Sequence, residues 1–282
     1  MNFEAETITL IGPGVMAEAM ISGLLRQKIT TPDCIAASGP RQERVKELEE
    51  RYGIRSFTDN RAAAAEADVV ILAIKPQRLA KVLEGLEGAI KPQALVISII
   101  AGATIQTISE GLKHPAVVRS MPNTAAQIGE GITVWTASAA VNEGQIEQAR
   151  QILTALGQEV FVEEENYLDM ATALSGTGPA YVFLFMEALV DAGVHMGFPR
   201  RIAEQLVTQT IVGAVSYYQK QKLHPAQLRN QVTSPGGTTA QALYYLEKAG
   251  FRTAISRAIW AAYERSQELG KGLNSRPPRE ES

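Results

Sequence analysis

The chain has 282 residues, 45% of them hydrophobic and 20% charged, with a formal net charge of −3 and one cysteine. This length and composition fit one large or two medium globular domains, and the small negative charge does not favour nucleic acid or an anionic membrane as a partner. A single cysteine excludes an internal disulfide and suits a reducing cytosol. Cys34 begins a predicted buried strand, so a small core residue is favoured over a reactive thiol.

No targeting or membrane segment is predicted. The first residues, MNFEAE, are acidic, and the apolar strand after them is too short for a signal peptide. The longest uncharged run, 170–186, contains Ser175-Gly176-Thr177-Gly178-Pro179, which is expected to break it into less than a membrane span of about 20 apolar residues. We therefore predict a buried helix in a soluble, cytoplasmic protein.

Apolar runs alternate with helical patterns over the first 165 residues. The predicted strands are a run beginning at Thr7 and residues 34–38, 54–57, 69–74, 95–100, 117–121, 132–136 and 159–162. The predicted helices are residues 15–26, 41–52, 61–67, 76–86, 104–112 and 142–156. This alternation predicts an α/β fold in which a mostly parallel sheet is covered by helices on both faces.

A second, all-helical domain is predicted after Glu163-Glu164-Glu165. The helix that starts at Pro179 is apolar on nearly every face through Val190, and such a helix must be buried all round. A partner subunit is the simplest cover, so we predict a dimer through this domain. The predicted domains are 1–165, which binds a nucleotide, and 166–272, which is helical, followed by a disordered tail at 273–282.

The segment Gly12-Pro13-Gly14-Val15-Met16-Ala17 has the spacing G-x-G-x-x-A between a predicted strand and a helix. Gly12 allows the tight turn, Gly14 lets the backbone approach a pyrophosphate, and Ala17 lets the helix pack closely on the strand. The N–H groups and the positive dipole end of the helix would hold the phosphates. The alternative is a strand–turn–helix with no ligand.

The end of the second strand predicts NADP rather than NAD. No carboxylate occurs in residues 34–42 to accept hydrogen bonds from a ribose 2′-OH. Ser38 offers a hydroxyl, Gly39 an N–H group, and Arg41 or Arg44 a cation, and these donors suit a 2′-phosphate. Alternatively, the two arginines are solvated residues at a helix start.

Two later turns and one asparagine complete the candidate nucleotide site. The turn Ala73-Ile74-Lys75-Pro76 follows the fourth strand and the turn Ala101-Gly102 follows the fifth, at the strand ends where open α/β sheets bind ligands. Lys75 either contacts a phosphate or ribose or is an ordinary loop lysine, and small Ala101-Gly102 would let the backbone approach the nicotinamide. Asn60 either caps a helix or contacts the adenosine.

Few residues are suited to acid–base chemistry. His114, His195 and His224 are scattered and are predicted to be structural, and the sequence contains neither metal-ligand spacing nor a G-x-S-x-G motif. Asn123, in a turn after the strand 117–121, is a candidate to contact the substrate from the nucleotide domain.

The segment Ser234-Pro235-Gly236-Gly237-Thr238-Thr239 leads into a predicted helix at 240–248. Its N–H groups and hydroxyls would suit a carboxylate. The alternative is an ordinary capped loop.

Six segments, IGPGVMA, LAIKP, SMPNT, LSGTGPAY, GFPRR and SPGGTT, occur in an order and spacing that resembles the pyrroline-5-carboxylate reductase family. The resemblance runs from about residue 7 to residue 269. It implies NAD(P)H-dependent reduction of L-1-pyrroline-5-carboxylate to L-proline, the last step of proline biosynthesis. It also implies a Rossmann domain, a helical dimerisation domain, active sites completed across the dimer, and in some members a ring of dimers such as a decamer.

The resemblance also places the substrate-contacting hydroxyls at Ser234 and Thr239, with the substrate carboxylate on N–H groups from Gly236 to Thr239. Position 238 is often alanine in the family and is threonine here, so it stays open whether Thr238 or Thr239 faces the imine. Because a cyclic imine is easily protonated in solution, the enzyme mainly has to hold the ring against the cofactor that supplies the hydride. A hydroxyl such as that of Thr239 would orient or protonate the ring nitrogen.

Two rival functions are considered. A β-hydroxyacid dehydrogenase has a similar layout but uses a lysine early in its helical domain, and residues 114–219 contain no lysine. A non-catalytic NADP-binding regulator would leave the glycine-rich loop at Ser234–Thr239 unexplained. Reduction of a related cyclic imine stays open.

Overall fold

The computed structural model describes residues 6–272. They form two compact units, one made of residues up to Thr177 together with those from Ala262 onward, and one made of Gly178–Ala261. The predicted boundary between residues 165 and 166 stays a prediction. The predicted disordered tail, 273–282, lies outside the described residues.

The first unit contains one eight-stranded sheet. Its strands are β1 (Ile8–Ile11), β2 (Ile35–Ser38), β3 (Arg55–Phe57), β4 (Val69–Leu72), β5 (Leu95–Ser98), β6 (Val117–Met121), β7 (Gly131–Ala137) and β8 (Gly157–Phe161). Their order is β3-β2-β1-β4-β5-β6-β7-β8, and every neighbouring pair is parallel except β6 and β7. The predicted mostly parallel α/β fold is confirmed.

Helices cover the two faces of this sheet. They are α1 (Val15–Arg26), α2 (Gln42–Tyr52), α3 (Asn60–Ala65), α4 (Leu79–Leu86), α5 (Ile105–Leu112), α6 (Glu143–Thr154) and α7 (Tyr167–Ala171). Side-chain caps begin several of them: Thr104 caps α5, and Asn142 and Gln145 form a capping box at α6. Capping of this kind satisfies N–H groups that have no partner inside a helix.

The central strands are buried on both faces, as their unbroken apolar sequences predict. Along β4, Val69 and Ile71 pack into one apolar cluster, which also contains α1 and α6 residues. Val70 and Leu72 pack into the other, under α4 and α5. This alternation follows from the two-residue period of a strand, so one short segment anchors both halves of the core.

The strand predicted to begin at Cys34 begins one residue later, and Cys34 is not a core residue. Cys34 ends a 3₁₀ turn, Pro32–Cys34, and is half-buried. The hydroxyl of Thr31 donates to its sulfur over 3.6 Å. Pro32 accounts for the difference, because its fixed φ favours the first position of a turn and disfavours an early start of the strand.

The second unit is entirely helical. It contains α8 (Gly178–His195), α9 (Arg200–Gln221), α10 (Pro225–Gln231), α11 (Thr238–Lys248) and the first half of α12 (Phe251–Gly270), which ends in the first unit. Within this single chain α8 is largely exposed: Phe183 and Leu184 are 64% and 67% accessible. An apolar surface of this kind requires a cover that one copy of the chain does not provide.

The predicted break at residues 175–179 is wrong. The segment Thr172–Gly176 is a π-helical turn, in which the N–H of Thr177 donates to the carbonyl of Thr172 over 2.9 Å. A π turn absorbs an extra residue without ending the helix, and Pro179 lies in the first turn of α8, where its missing N–H loses no bond. The helical stretch Tyr167–His195 is long and apolar enough to span a membrane by length and composition alone, with 11% of its apolar window buried.

Glu18, in the first turn of α1, connects α1 to α2. Its carboxylate accepts hydrogen bonds from Arg44, from Arg51 over 2.7 Å and from Tyr52 over 3.0 Å. Partial burial by itself would raise the pKa of Glu18, but the hydrogen bonds from Arg44 and Tyr52 outweigh it and hold the pKa below its usual value. Arg44 also donates to the carbonyl of Pro13 over 3.0 Å, so this cluster supports the glycine turn.

We expect Glu18→Gln to lower the free energy of unfolding by about 1 kcal/mol at pH 7, the scale of a partly exposed ion pair with hydrogen bonds. Because the folded-state pKa is lowered, the contribution is complete above the unfolded pKa and is lost as the pH falls through the folded one. Urea unfolding at pH 7 and at pH 3, at equal protein concentration, should therefore show a difference that shrinks on acidification. Glu50→Gln, at an exposed position of α2, is the control and should change stability by less than about 0.5 kcal/mol.

Candidate nucleotide and substrate sites

The glycine turn after β1 is fixed by close packing at Gly12. Gly12 has a φ of +98°, and a Cβ there would lie 2.8 Å from the carbonyl oxygen of Ala73 and 2.6 Å from Ile74 Cγ2. Its N–H donates to the carbonyl of Ser38 over 2.8 Å. The turn is therefore held between β2 and the end of β4, and only glycine fits it.

Gly14 differs, because the space beside it is open. A Cβ on Gly14 would meet no atom within 4 Å. Gly14 is the N-cap of α1 and carries no side-chain cap, and the first helical bond runs from Glu18 N–H to its carbonyl. The N–H groups of Val15, Met16 and Ala17 thus begin a helix without an intrahelical acceptor. An open, uncapped helix start beside a glycine fits a pyrophosphate group.

Ser38, at the end of β2, and Asn60, the first residue of α3, form a partly buried polar pair. Ser38 is fully buried, and its hydroxyl donates to Asn60 Oδ1 over 2.7 Å. The alternative that Asn60 caps α3 is wrong, because Asp59 is the cap and accepts bonds from the N–H groups of Arg61 and Ala62. The pair leaves Asn60 on the β2 side of the glycine turn, where an adenosine would be expected.

Of the other predicted donors, only Arg41 lies exposed. The N–H of Gly39 donates to the carbonyl of Phe57 over 3.2 Å, and a Cβ on Gly39 would lie 2.4 Å from Pro13 Cδ. Arg44 is engaged by Glu18 and Pro13, as described above. Arg41 precedes α2 and is exposed, so it is the cation that remains available beside Ser38.

The turns after β4 and β5 lie at the same edge of the sheet as Gly12, since these strands are parallel to β1. Ala73 N–H donates to the carbonyl of Ile11 over 2.8 Å, and Ile74 and Pro76 are half-buried. Lys75 is exposed. Ala101 is half-buried and Gly102 is buried with a φ of +74°. The structure thus brings the predicted cofactor residues to one edge of one sheet.

Asn123 follows β6 at this edge. It precedes the 3₁₀ turn Thr124–Ile128. Its Oδ1 is buried and has no hydrogen-bond partner in the part of the chain that the structure describes. A buried polar atom without a partner is costly, so the donor of a bound ligand would be favoured here.

The second glycine-rich loop, in the helical unit, ends in another uncapped helix start. Helix α11 begins at Thr238, two residues before the predicted start, with Gly237 as its N-cap and no side-chain cap. Its first helical bond runs from Gln241 N–H to the Gly237 carbonyl over 3.2 Å. The N–H groups of Thr238, Thr239 and Ala240 therefore begin the helix without an intrahelical acceptor. The choice between an anion site and an ordinary loop stays a prediction.

Within this loop one predicted donor is engaged. The N–H of Gly237 donates to the carbonyl of Ser234 over 3.1 Å, whereas Ser234 and Gly236 are exposed. Thr238 is exposed and Thr239 is half-buried. The two threonines therefore differ in surroundings although both lie in the first turn of α11.

Two of the three histidines, His114 and His224, occupy structural positions. His114 is buried with Nε2 2.7 Å from the carbonyl of Ala94, and His224 caps α10 by accepting a bond from the Ala226 N–H. His195 is the last residue of α8. Across residues 6–272, no group of three or more His, Cys, Asp or Glu side chains is arranged to hold a metal ion.

A buried ion cluster surrounds Arg119 on β6 and was not predicted from the sequence. Its side chain is 3% exposed and donates to Glu165 over 3.0 Å and to Asp169 over 2.8 Å. An arginine in the middle of the apolar strand sequence VVRSM was the available signal, since arginine is rarely buried unless paired. No local sequence pattern indicates that its partners are Glu165 and Asp169, which lie 46 and 50 residues later.

Comparison with known proteins gives consistent matches over nearly the whole chain. The family described as pyrroline-5-carboxylate reductase dimerisation matches residues 165–269, and that described as NADP oxidoreductase, coenzyme F420-dependent, matches residues 7–102. The pyrroline-5-carboxylate reductase of Synechocystis sp. is 45% identical over 262 residues, which cover 93% of this chain and 97% of that protein.

Two solved structures are also similar. The pyrroline carboxylate reductase of Plasmodium falciparum, crystallised with NADP bound, has a TM-score of 0.88 and 32% identity, with 95% of this chain and 99% of that one covered. The pyrroline-5-carboxylate reductase of Coxiella burnetii has a TM-score of 0.85 and 36% identity, covering 94% of this chain and 99% of that one. The chain therefore belongs to the pyrroline-5-carboxylate reductase family.

Proposed function

We propose that this protein reduces L-1-pyrroline-5-carboxylate to L-proline, with NADPH preferred over NADH. The observation that carries the proposal is the uncapped start of α11, which presents N–H groups beside two threonine hydroxyls and the segment Gly236-Gly237. Such a site suits a small carboxylate next to a polar ring atom. Together with the family membership, it supports the last step of proline biosynthesis, and we propose that the protein acts in the cytoplasm.

The residues for the cofactor are those at the carboxyl edge of the sheet. The N–H groups that follow Gly14 would hold the pyrophosphate, Asn60 would contact the adenosine, and Ser38 with Arg41 would lie by the 2′-phosphate. The turns at Lys75 and at Ala101-Gly102 would border the ribose and the nicotinamide. When bound, the cofactor supplies the hydride that the protein itself lacks.

The substrate would be held by the loop that begins at Ser234. The N–H groups of Thr238 and Thr239 receive its carboxylate, with Gly236 and the Ser234 hydroxyl beside it. The Thr239 hydroxyl orients the ring nitrogen or gives it a proton, and Asn123 offers its unpartnered amide oxygen to a donor on the ligand. Little acid–base machinery is needed, because the imine is protonated readily in solution and the main task is alignment.

The helical unit would form a dimer, which family members in turn assemble into rings such as a decamer. The exposed apolar side chains of α8 support self-association. In the proposed assembly, the loop at Ser234–Thr239 of one subunit meets the glycine turn at Gly12 of the other.

The absence of lysine in residues 114–219 disfavours a β-hydroxyacid dehydrogenase. A related cyclic imine is the alternative substrate.

Thr239→Ala should lower kcat for pyrroline-5-carboxylate by at least about tenfold, because a hydroxyl that orients or protonates the ring nitrogen is lost. Thr238→Ala is the matched control, and since Thr238 is exposed, its kcat should stay within about twofold. Steady-state NADPH oxidation measures both. An unchanged kcat in both variants would remove this helix start from the mechanism, and a reversed pattern would transfer the role to Thr238.

Arg41→Ala should raise KM for NADPH about tenfold and leave kcat/KM for NADH unchanged, since a charge-assisted hydrogen bond is worth roughly 1.5–3 kcal/mol. Lys46→Ala removes another exposed cation of α2 and is the control. A wild-type protein with a higher kcat/KM for NADH than for NADPH would contradict the preference.

Light scattering at working concentration should give a mass that is a multiple of the 30.5 kDa chain. Leu184→Asp places a charge on the exposed apolar side of α8 and should shift the mass toward the monomer, because an unpaired buried charge is strongly disfavoured. A wild-type protein that is strictly monomeric would refute the dimer.

A further inference from the structure

We infer that Arg119 is a positioning residue for the nicotinamide end of the cofactor, acting through the turn Ala101-Gly102. The inference rests on the proposed use of NADPH. Arg119 binds two carboxylates, and each of them also bonds a segment next to this turn: the start of α5 and the last turns of α12.

The first connection runs through Glu165 to the start of α5. Glu165 Oε1 accepts a bond from the Arg119 guanidinium over 3.0 Å and another from the backbone N–H of Ile105 over 2.7 Å. Ile105 is the first residue of α5 and lies three residues after Gly102. The Glu165 carboxylate therefore fixes where the chain leaves the turn and enters the helix.

The second connection runs through Asp169 to the last turns of α12. Asp169 Oδ1 accepts a bond from Arg119 over 2.8 Å and another from the Ser266 hydroxyl over 2.8 Å. One helical turn later, Gly270 packs on Gly102: a Cβ on Gly102 would lie 2.7 Å from Gly270 N and 2.9 Å from the Ser266 carbonyl oxygen. The Asp169 carboxylate therefore holds the helix end that covers the turn.

Arg119 also lies level with the end of the preceding strand. It is the register partner of Ser98, the last residue of β5. The Ser98 hydroxyl oxygen accepts the N–H of Ile100 over 3.2 Å, and the Ser98 carbonyl accepts the Ser120 hydroxyl over 3.0 Å. The path from β5 into Ala101-Gly102 is thus held from the strand side as well.

The turn Ala101-Gly102 lies on the side of the crevice where the nicotinamide is expected, so a shift of this turn should affect that end of the cofactor. In doubly wound sheets the dinucleotide crosses the crevice where strand order reverses, which here is beside β1. Ser38 and Asn60 lie on the β2 side of that crevice, and Ala101-Gly102 lies on the opposite side, after β5. A shift of this turn would therefore move the nicotinamide support and leave the adenosine support in place.

A purely stabilising role gives a different expectation. Replacing a buried ion cluster by apolar side chains is often neutral for stability, whereas removing one partner leaves uncompensated charge. A loss of stability would weaken the binding of every part of the cofactor alike. If Arg119 positions the turn, its loss should weaken the binding of the nicotinamide end and leave the binding of the adenosine end unchanged.

The test compares two ligands on the full-length protein without substrate: NADPH, and 2′,5′-ADP, which lacks the nicotinamide. In Arg119→Met we expect Kd for NADPH to rise at least about tenfold and kcat to fall by a similar factor, as displacement of about 1 Å is enough for such losses. Kd for 2′,5′-ADP should stay within about twofold. Arg119→Lys, which retains the charge but not the fork that reaches both carboxylates, should lie between.

Arg150→Met is the matched control, because Arg150 also contacts two carboxylates, those of Glu147 and Glu159. It should change neither Kd. Should Arg119→Met fail to fold, Ser266→Ala removes one hydroxyl of the same network and should raise Kd for NADPH about threefold with 2′,5′-ADP unaffected. Equal changes for both ligands, or no change in Arg119→Lys and Ser266→Ala, would overturn the inference.

Failure of the proposed function would be separately visible. A wild-type protein that binds NADPH but does not oxidise it with pyrroline-5-carboxylate would refute the proposed reaction. The comparison of NADPH with 2′,5′-ADP in the variants would still decide the role of Arg119, since it needs no turnover.

Discussion

In the sheet of the first unit, β1 lies between β2 and β4 and is parallel to both. The chain therefore leaves β1, β2 and β4 at the same edge, and the crossovers on either side of β1 diverge. This constraint places Gly12, Ser38 and Ala73 together although they are far apart in sequence. The clash that any Cβ on Gly12 would make with the Ala73 carbonyl shows how closely these ends approach. The crevice for the nucleotide follows from strand order before any side chain is considered.

Each of the two units contains a helix that begins after a glycine N-cap. Helices α1 and α11 both begin after a glycine N-cap without a side-chain cap, whereas α3, α5 and α6 are capped by Asp59, Thr104 and Asn142. Helices α2, α4, α7 and α9 also begin without a side-chain cap, but none of these four has glycine as its N-cap. The open glycine N-cap, and not the missing side-chain cap alone, is therefore the feature that α1 and α11 share.

Much of the fold was predictable because its signals are local. The unbroken apolar run of β4 predicted a strand buried on both faces, and the G-x-G-x-x-A spacing located the crevice. The failures also have local causes: Pro32 favours a turn where Cys34 was predicted to begin a strand, and a π turn carries the helix past Gly176. The partners of Arg119 and the engagement of the Gly39 N–H by Phe57 were not predictable, because those contacts depend on strand order and on residues distant in sequence.

The arrangement of charge agrees with a reaction in which alignment matters more than proton transfer. Two ion clusters, Glu18 with Arg44 and Arg119 with Glu165 and Asp169, join charged side chains to one another and to the backbone. Glu18 and Arg44 support the turn that would hold the phosphates, through Pro13. The Arg119 cluster supports the turn at Ala101-Gly102. These two ion clusters therefore hold backbone segments in place at two points along the crevice.

The polar groups that remain for a ligand are mainly neutral. They are N–H groups, hydroxyls and the Asn123 amide. A protonated imine already carries its own charge, so neutral, well-placed partners are sufficient to orient it.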